Sequence, residues 1–170
     1  MEERISFEKS AKPLTQEDIA GVERRLNLNL PKHFTDFYLK YNGGVPSKSY
    51  ILYEENDEFI EISVFFSLLH KREKSDDDTI EDRYLSLTKR KVIPLDYLPF
   101  AKDWCGNLFC LNLQIQQVVF VLLDMGPVSE KSFLPLALSF EVFISSLVTE
   151  EEAEAAEEGE EDDEDDEDSW

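Results

Sequence analysis

The sequence has few of the residues on which catalytic sites are usually built. It contains two cysteines and six glycines, and its two histidines are His33 and His70. It has no phosphate-binding glycine loop, nucleophile elbow, dinucleotide-binding glycine motif or zinc-binding HExxH helix. Two histidines also leave few candidates for a general base. We therefore expect no enzyme activity, no catalytic residues and no cofactor.

Long hydrophobic runs are also missing. The longest aliphatic and aromatic run, Val118 to Leu123, is too short to cross a bilayer. The first residues are charged, and no apolar segment typical of a secretory signal follows them. Cys105 and Cys110 are too few for a disulfide framework, and on one strand their odd separation would point them to opposite faces. These absences favour a cytoplasmic protein with reduced thiols.

Basic residues are outnumbered throughout and are absent from one end of the chain. The sequence has 17 Lys and Arg against 38 Asp and Glu, a net charge of −21. Residues 150–170 hold 15 of the acids and no base, which leaves 23 acids and 17 bases, a net −6, in residues 1–149. A negative field repels nucleic acid and anionic lipid and attracts basic partners. We therefore predict a basic protein partner and no binding to nucleic acid or membrane.

Acidic clusters are not by themselves a sign of metal binding in so acidic a chain. Asp57 with Glu58, and residues 76–78, resemble cation sites only weakly, because they lack the spacing and the turn glycine of a calcium loop. We expect no dedicated metal site. Two short basic patches, residues 71–74 and 89–91, are interpreted as solvated loops or helix ends.

Two helices are predicted near the start of the chain, as an αα-hairpin. Thr15 is a good N-cap and acidic residues follow it in the first turn. Leu30-Pro31 opens the second helix, and Asn42-Gly43-Gly44 ends it, because glycine adopts the left-handed cap conformation without a Cβ clash. The apolar side chains at helical spacing are Ile19, Val22 and Leu26 in the first helix, and Phe34, Phe37, Tyr38 and Tyr41 in the second.

Alternating apolar residues predict a mostly antiparallel sheet in the rest of the domain. Residues 50–54 and 59–66 are predicted as strands around an acidic loop, and residues 108–113 and 118–123 as a second hairpin. Segments 92–95 and 98–101 contain proline and are predicted as edges or strand starts. Further helices are expected from about Thr79 and after Ser139. The expected core residues include Ile60, Ile62, Val64, Leu111, Val119, Phe120, Phe140 and Phe143.

The sequence thus predicts an α+β domain over residues 1–148 and an acidic low-complexity tail over residues 149–170. Residues 151–158 have a helix-forming composition, although like charges at i, i+4 oppose a helix. From Gly159 onward the tail is almost continuous Asp and Glu and is predicted to be disordered. Two roles remain open: a solubilising extension, or a polyanion mimic that occupies a nuclease cleft.

Four blocks of the sequence, in order, together cover about residues 13–148. They are the two predicted helices with Leu30-Pro31 and Asn42-Gly43-Gly44, residues 98–113, residues 117–124, and residues 137–147. These blocks resemble the SUKH superfamily, which includes bacterial immunity proteins and a fungal regulator of cell-wall synthesis. Cys105 stands where the family commonly has a glycine. If that position needs a positive φ, cysteine is strained there and the turn is altered.

The resemblance implies a non-catalytic protein-binding module. Bacterial members typically neutralise toxins, many of them nucleases, by covering the active site or a nearby surface. We therefore expect an immunity protein for a basic, nuclease-type toxin; the alternative is a regulatory adaptor of the same fold. The expected oligomeric state is a monomer or weak dimer. The expected partner contacts are the acidic and aromatic residues of the sheet and its loops, namely Glu54, Glu55, Asp57, Glu58, Glu61, Asp103 and Trp104.

Overall fold

Short helices and strands follow one another along the chain in the computed structural model, which describes residues 5–73, 78–124 and 126–168, with side chains up to residue 159. The carboxylate cluster at residues 76–78 therefore lies largely outside the described residues. The helices are α1 (Gln16–Leu26), α2 (Lys32–Lys40), α3 (Ile80–Lys89), α4 (Phe140–Ser145) and α5 (Glu150–Asp168). The strands are β1 (Phe7–Glu8), β2 (Val45–Pro46), β3 (Tyr50–Tyr53), β4 (Glu58–Glu61), β5 (Val64–Phe65), β6 (Tyr97–Lys102), β7 (Leu108–Asn112), β8 (Val118–Val121) and β9 (Phe133–Ala137).

An antiparallel sheet in the order β5-β6-β7-β8-β9 forms the centre of the domain. Two further antiparallel pairs, β1 with β2 and β3 with β4, complete the sheet structure of the described chain. Helices α2 and α4 pack together, and so do α1 and α3. The predicted α+β class is confirmed. No helix in the described part of the chain is long and apolar enough to span a membrane.

The first helix begins where its capping residues predict. The Thr15 hydroxyl accepts a hydrogen bond from the Asp18 N–H at 3.1 Å, and the Asp18 carboxylate accepts one from the Thr15 N–H at 2.9 Å. This reciprocal capping box satisfies two donors that a helix start otherwise leaves unpaired. Asn27 ends α1 in the left-handed conformation. Arg25 then joins α1 to α3 through an ion pair with Asp82 at 3.0 Å.

The strand predicted over residues 59–66 is wrong as a single element. The chain changes sheets at Ile62 and Ser63: the Ile62 N–H donates to Ser49 O at 2.7 Å, whereas the Ser63 N–H donates to Lys102 O at 2.8 Å. One part, β4, therefore pairs with β3 and the other, β5, with β6. Alternation of apolar residues continues across such a change and does not reveal it.

Alternation of apolar residues did not predict every strand correctly. Residues 98–101 lie near the start of β6, which pairs with β5 on one side and β7 on the other, so the predicted edge is wrong and the predicted strand start holds. Pro99 lies at a register shift between β6 and β7, an irregularity of the kind where proline is tolerated. Residues 92–95 form no strand. Strand β9 was not predicted, because Pro135 interrupts a short apolar run. The pair β1 and β2 was also missed, since two-residue strands carry no periodicity.

The predicted core is confirmed at seven of its eight positions, and Ile60 is half-buried against it. Aromatic rings fill the space between the sheet and helices α2 and α4. The ring centroids of Phe34 and Phe140 are 5.0 Å apart, and those of Phe100 and Phe143 are 5.4 Å apart. Tyr38 is fully buried, and its hydroxyl donates to Phe66 O at 2.9 Å. A buried hydroxyl without such a partner would be costly.

Helix α5 contains most of the acidic tail. Backbone bonds of 3.1 and 2.9 Å between Tyr50 and Val148 fix the segment before it, and Ala153 is the buried residue among the side chains described in α5. The backbone stays helical to Asp168. The disorder predicted from Gly159 onward stays a prediction. Its physical basis is the repulsion between like charges at i, i+4, which opposes this part of the helix.

Candidate protein-binding surface

Four of the predicted contact residues lie on the hairpin that joins β3 and β4. Tyr53 pairs with Glu58 at its end, and Glu54, Glu55, Asp57 and Glu58 are all exposed. The Tyr53 hydroxyl donates to the Glu55 carboxylate. Asp57 has a φ of 58°, a left-handed conformation that aspartate tolerates better than most residues. The predicted acidic hairpin is therefore present, with its carboxylates in solvent.

Glu61 joins this hairpin to the exposed indole of Trp104. Its Oε1 accepts a hydrogen bond from the Tyr50 hydroxyl at 3.1 Å, and its Oε2 accepts one from Trp104 Nε1 at 2.9 Å. Trp104 remains 73 % exposed, and it belongs to the loop between β6 and β7. These bonds link Tyr50, Glu61 and Trp104 at one end of the β3–β4 pair, and the carboxylates of the hairpin loop lie at its other end. We call these residues together the acidic–aromatic surface: Tyr50, Glu54, Glu55, Asp57, Glu58, Glu61 and Trp104.

Asp103 supports the loop beneath Trp104. Its Oδ1 accepts hydrogen bonds from the Cys105 N–H at 2.9 Å and the Asn107 N–H at 2.8 Å, and its Oδ2 accepts one from Asn107 Nδ2 at 3.0 Å. Asn107 Oδ1 in turn accepts the Leu123 N–H at 2.8 Å. Asp103 was predicted as a partner contact, but both its carboxylate oxygens already hold the loop. It therefore holds the loop that carries Trp104, and its contact with a partner stays a prediction.

The start of the acidic tail lies beside the same surface, which the sequence did not reveal. Desolvation, the hydrogen bond to Glu61, and the charges of Glu61, Glu150 and Glu154 together raise the pKa of Tyr50 to about 12. Glu150 and Glu154 belong to α5, whose first residues follow the Tyr50–Val148 backbone pair. The tail therefore adds carboxylates at the edge of the acidic–aromatic surface.

Comparison with known proteins fits this arrangement of helices, sheet and loops. The sequence profile described as the SMI1/KNR4 family (SUKH-1) matches residues 13–146. The chain belongs to this family. It is also similar to an uncharacterized protein derived from the SPbeta prophage, YokK of Bacillus subtilis (strain 168), with 27 % identity over 151 residues, 80 % of this chain and 76 % of that protein. SUKH proteins are in general non-catalytic immunity proteins and regulators, so membership implies a protein partner.

The cysteine at the family's usual glycine position does not strain the SUKH loop. Gly106 has a φ of 89°, whereas Cys105 is not among the described residues with a positive φ. The expected backbone penalty at Cys105 is therefore wrong: the next residue supplies the left-handed conformation. Cys105 is exposed, beside Trp104, and the two cysteines do not lie on one strand, because Cys110 is buried in β7.

The two thiols should differ sharply in reactivity. Burial raises the pKa of the Cys110 thiol well above its usual range, and reaction requires an accessible thiolate. We expect a thiol reagent such as Ellman's reagent to modify Cys105 in the folded protein and Cys110 only after denaturation. Mass spectrometry of the Cys105→Ser variant provides the control, because this variant should gain no label while folded. Labelling of Cys110 at the rate of Cys105 would contradict its burial.

Proposed function

We propose that this protein is an immunity protein that neutralises a basic, nuclease-type toxin in the cytoplasm by direct contact. The observation that carries the proposal is the bond between Glu61 and Trp104, which joins an exposed aromatic ring to an acidic hairpin. SUKH membership supports a role in protein binding. The acidic–aromatic surface is the proposed contact.

The two kinds of side chain would contribute differently to the complex. Carboxylates of Glu54, Glu55, Asp57 and Glu58 would accelerate encounter with a basic surface, such as the one a nuclease uses to hold phosphates. The exposed Trp104 ring would supply apolar area at the centre, where tryptophan is often among the residues with the largest effect on affinity. Its hydrogen bond to Glu61 holds the indole in place before binding, which lowers the entropy lost in the complex.

The experiment pairs this protein with the product of the neighbouring gene. Co-expression should restore growth of cells that make that product, and the two purified proteins should elute as one complex. Trp104→Ala should weaken the complex by about 2 kcal/mol, or about 30-fold in Kd. Leu138→Ala provides the matched control, because Leu138 is an apolar residue exposed by 81 % outside the acidic–aromatic surface.

The outcomes separate the candidate functions. Equal loss of affinity in the two variants would contradict the proposed surface. A neighbouring product that is harmless to cells and still binds would favour the regulatory adaptor. A variant ending after Glu158 tests the tail, because it removes residues 159–170 and keeps the buried Ala153. Loss of all neutralisation by this folded variant would make the tail a polyanion mimic, whereas a slower association alone would make it an accessory extension.

A further inference from the structure

A basic groove is lined by Trp104 and by residues from several distant segments of the chain. It has a volume of about 980 Å³, and one side is formed by residues 9–13 and another by residues 71–73. Its charged lining residues are Lys9, Lys12, Lys71, Arg72, Lys102 and Glu73, five bases against one acid. Such a concentration of positive charge is unusual for a chain with a net charge of −21.

The walls of the groove are fixed by hydrogen bonds. Asn42 Nδ2 donates to Lys12 O and to Leu68 O, each at 2.9 Å, and Asn42 Oδ1 accepts the Leu68 N–H at 2.7 Å. Arg72 Nη1 donates to Lys9 O at 3.3 Å, which links the two walls directly. The groove is therefore a preformed feature, and its basic residues do not have to be gathered when an anion binds.

Two lysines of the groove, Lys9 and Lys71, are exposed, and no ion pair to either is present among the side chains that the structure describes. Glu73 is the one acidic residue in the lining. Like charges held close together repel one another, and an anionic segment in the groove would relieve that repulsion.

The same chain contains a segment of opposite charge. Residues 160–168 are nine consecutive carboxylates, and they belong to α5, whose base lies beside Tyr50. Tyr50 and Trp104 share Glu61 as their hydrogen-bond acceptor, so the base of the tail and the edge of the groove are close neighbours. Residues 159–168 could span up to about 33 Å when extended. The tail is thus long enough to reach a groove that begins at Trp104.

We propose that the basic groove binds the carboxylates of residues 160–168 of its own chain in a state where this part of α5 is unwound. Unwinding removes the repulsion between carboxylates at i, i+4, so little free energy of helix formation is lost when this segment leaves α5 for the groove. Attachment to the same chain gives the tail a millimolar effective concentration at the groove, which compensates for weak individual ion pairs. The bound state competes with a basic partner for the tail, and salt weakens it.

Paramagnetic broadening in the full chain tests the contact. A nitroxide label attached to Cys105, which is exposed beside Trp104, reports on segments near the groove, since buried Cys110 is protected. In a continuous helix Asp168 would lie about 27 Å along the axis from Glu150. Groove binding should instead remove most of the amide signal intensity of residues 160–168 at low salt, and high salt should restore it.

Matched variants and a mixing experiment identify the occupant. Lys9→Gln with Lys71→Gln should restore the tail signals, whereas Lys32→Gln with Lys89→Gln, an equal charge change outside the groove, should leave them broadened. Unbroadened tail signals in the parent at low salt, or equal effects of both variant pairs, would overturn the proposal. In the mixing experiment, a ¹⁵N-labelled copy that carries no nitroxide is added to nitroxide-labelled protein. Broadening of the tail amide signals of the ¹⁵N-labelled copy would also overturn the proposal, because its tail would then occupy the groove of a second copy.

Discussion

Replacing Gly44 by alanine should destabilise the domain by about 4 kcal/mol or more, the range of the most damaging single substitutions. Gly44 has a φ of +115°, and a Cβ there would lie 2.4 Å from Glu8 O and 3.1 Å from the Ser10 N. Its own N–H and C=O bond Phe65 at 3.0 and 2.9 Å, so the backbone cannot move without breaking β-sheet contacts. Strain and clash therefore add at one position.

Two other glycines separate the cost of backbone strain from the cost of the Cβ clash. Gly106 has a φ of +89° with open space around its Cβ position, so Gly106→Ala should cost about 1–2 kcal/mol from backbone strain alone. Gly21 lies inside α1, and Gly21→Ala should add about 0.5–1 kcal/mol of stability. Denaturant unfolding followed by circular dichroism gives the three free energies. A Gly44→Ala loss no larger than that of Gly106→Ala would show that the close approach to Glu8 is absent in solution.

Charge reversal on the acidic hairpin should slow association with a basic partner by about tenfold or more at low salt, since steering depends on local charge. Glu54→Lys with Glu58→Lys is the best pair, because both side chains are exposed at the hairpin. Glu55 and Asp57 are less suitable: the first holds the Tyr53 hydroxyl, and the second has a left-handed backbone. The dissociation rate should change little, because such charges act mainly during encounter.

The control distinguishes a local surface from overall charge. Asp36→Lys with Glu130→Lys makes the same change in net charge at exposed residues outside the hairpin. Association rates measured by surface plasmon resonance across a salt series should show a flattened salt dependence for the hairpin pair and a nearly parental one for the control pair. An equal slowing in both pairs would assign the effect to net charge and remove the hairpin from the proposed contact.

Local chemistry in the sequence was sufficient to predict several elements of the fold. Thr15 and Thr79 each accept a hydrogen bond from a first-turn N–H, and each begins its helix where predicted. Gly43 and Gly44 take positive φ values at the predicted helix-to-sheet turn, but the predicted glycine cap is wrong, because α2 ends at Lys40 with Tyr41 in an extended conformation. These features depend on residues a few positions apart, so the sequence carries them directly. The acidic hairpin was predictable for the same reason, because its strands flank a short polar loop.

Contacts between distant segments were decided by the tertiary structure. The bonds from Tyr50 and Trp104 to Glu61, and the placement of the tail beside Tyr50, join residues that no local pattern relates. The change of sheets at Ile62 depends on acceptors at Ser49 and Lys102, which hydrophobic alternation does not encode. Likewise, the basic segment at residues 71–73, interpreted as a solvated loop or helix end, lines one groove with Lys9, Lys12 and Lys102 only because packing brings these residues together. Sequence by itself determined the helix starts, the turns and the charge of each segment, whereas chain folding determined which charges face one another.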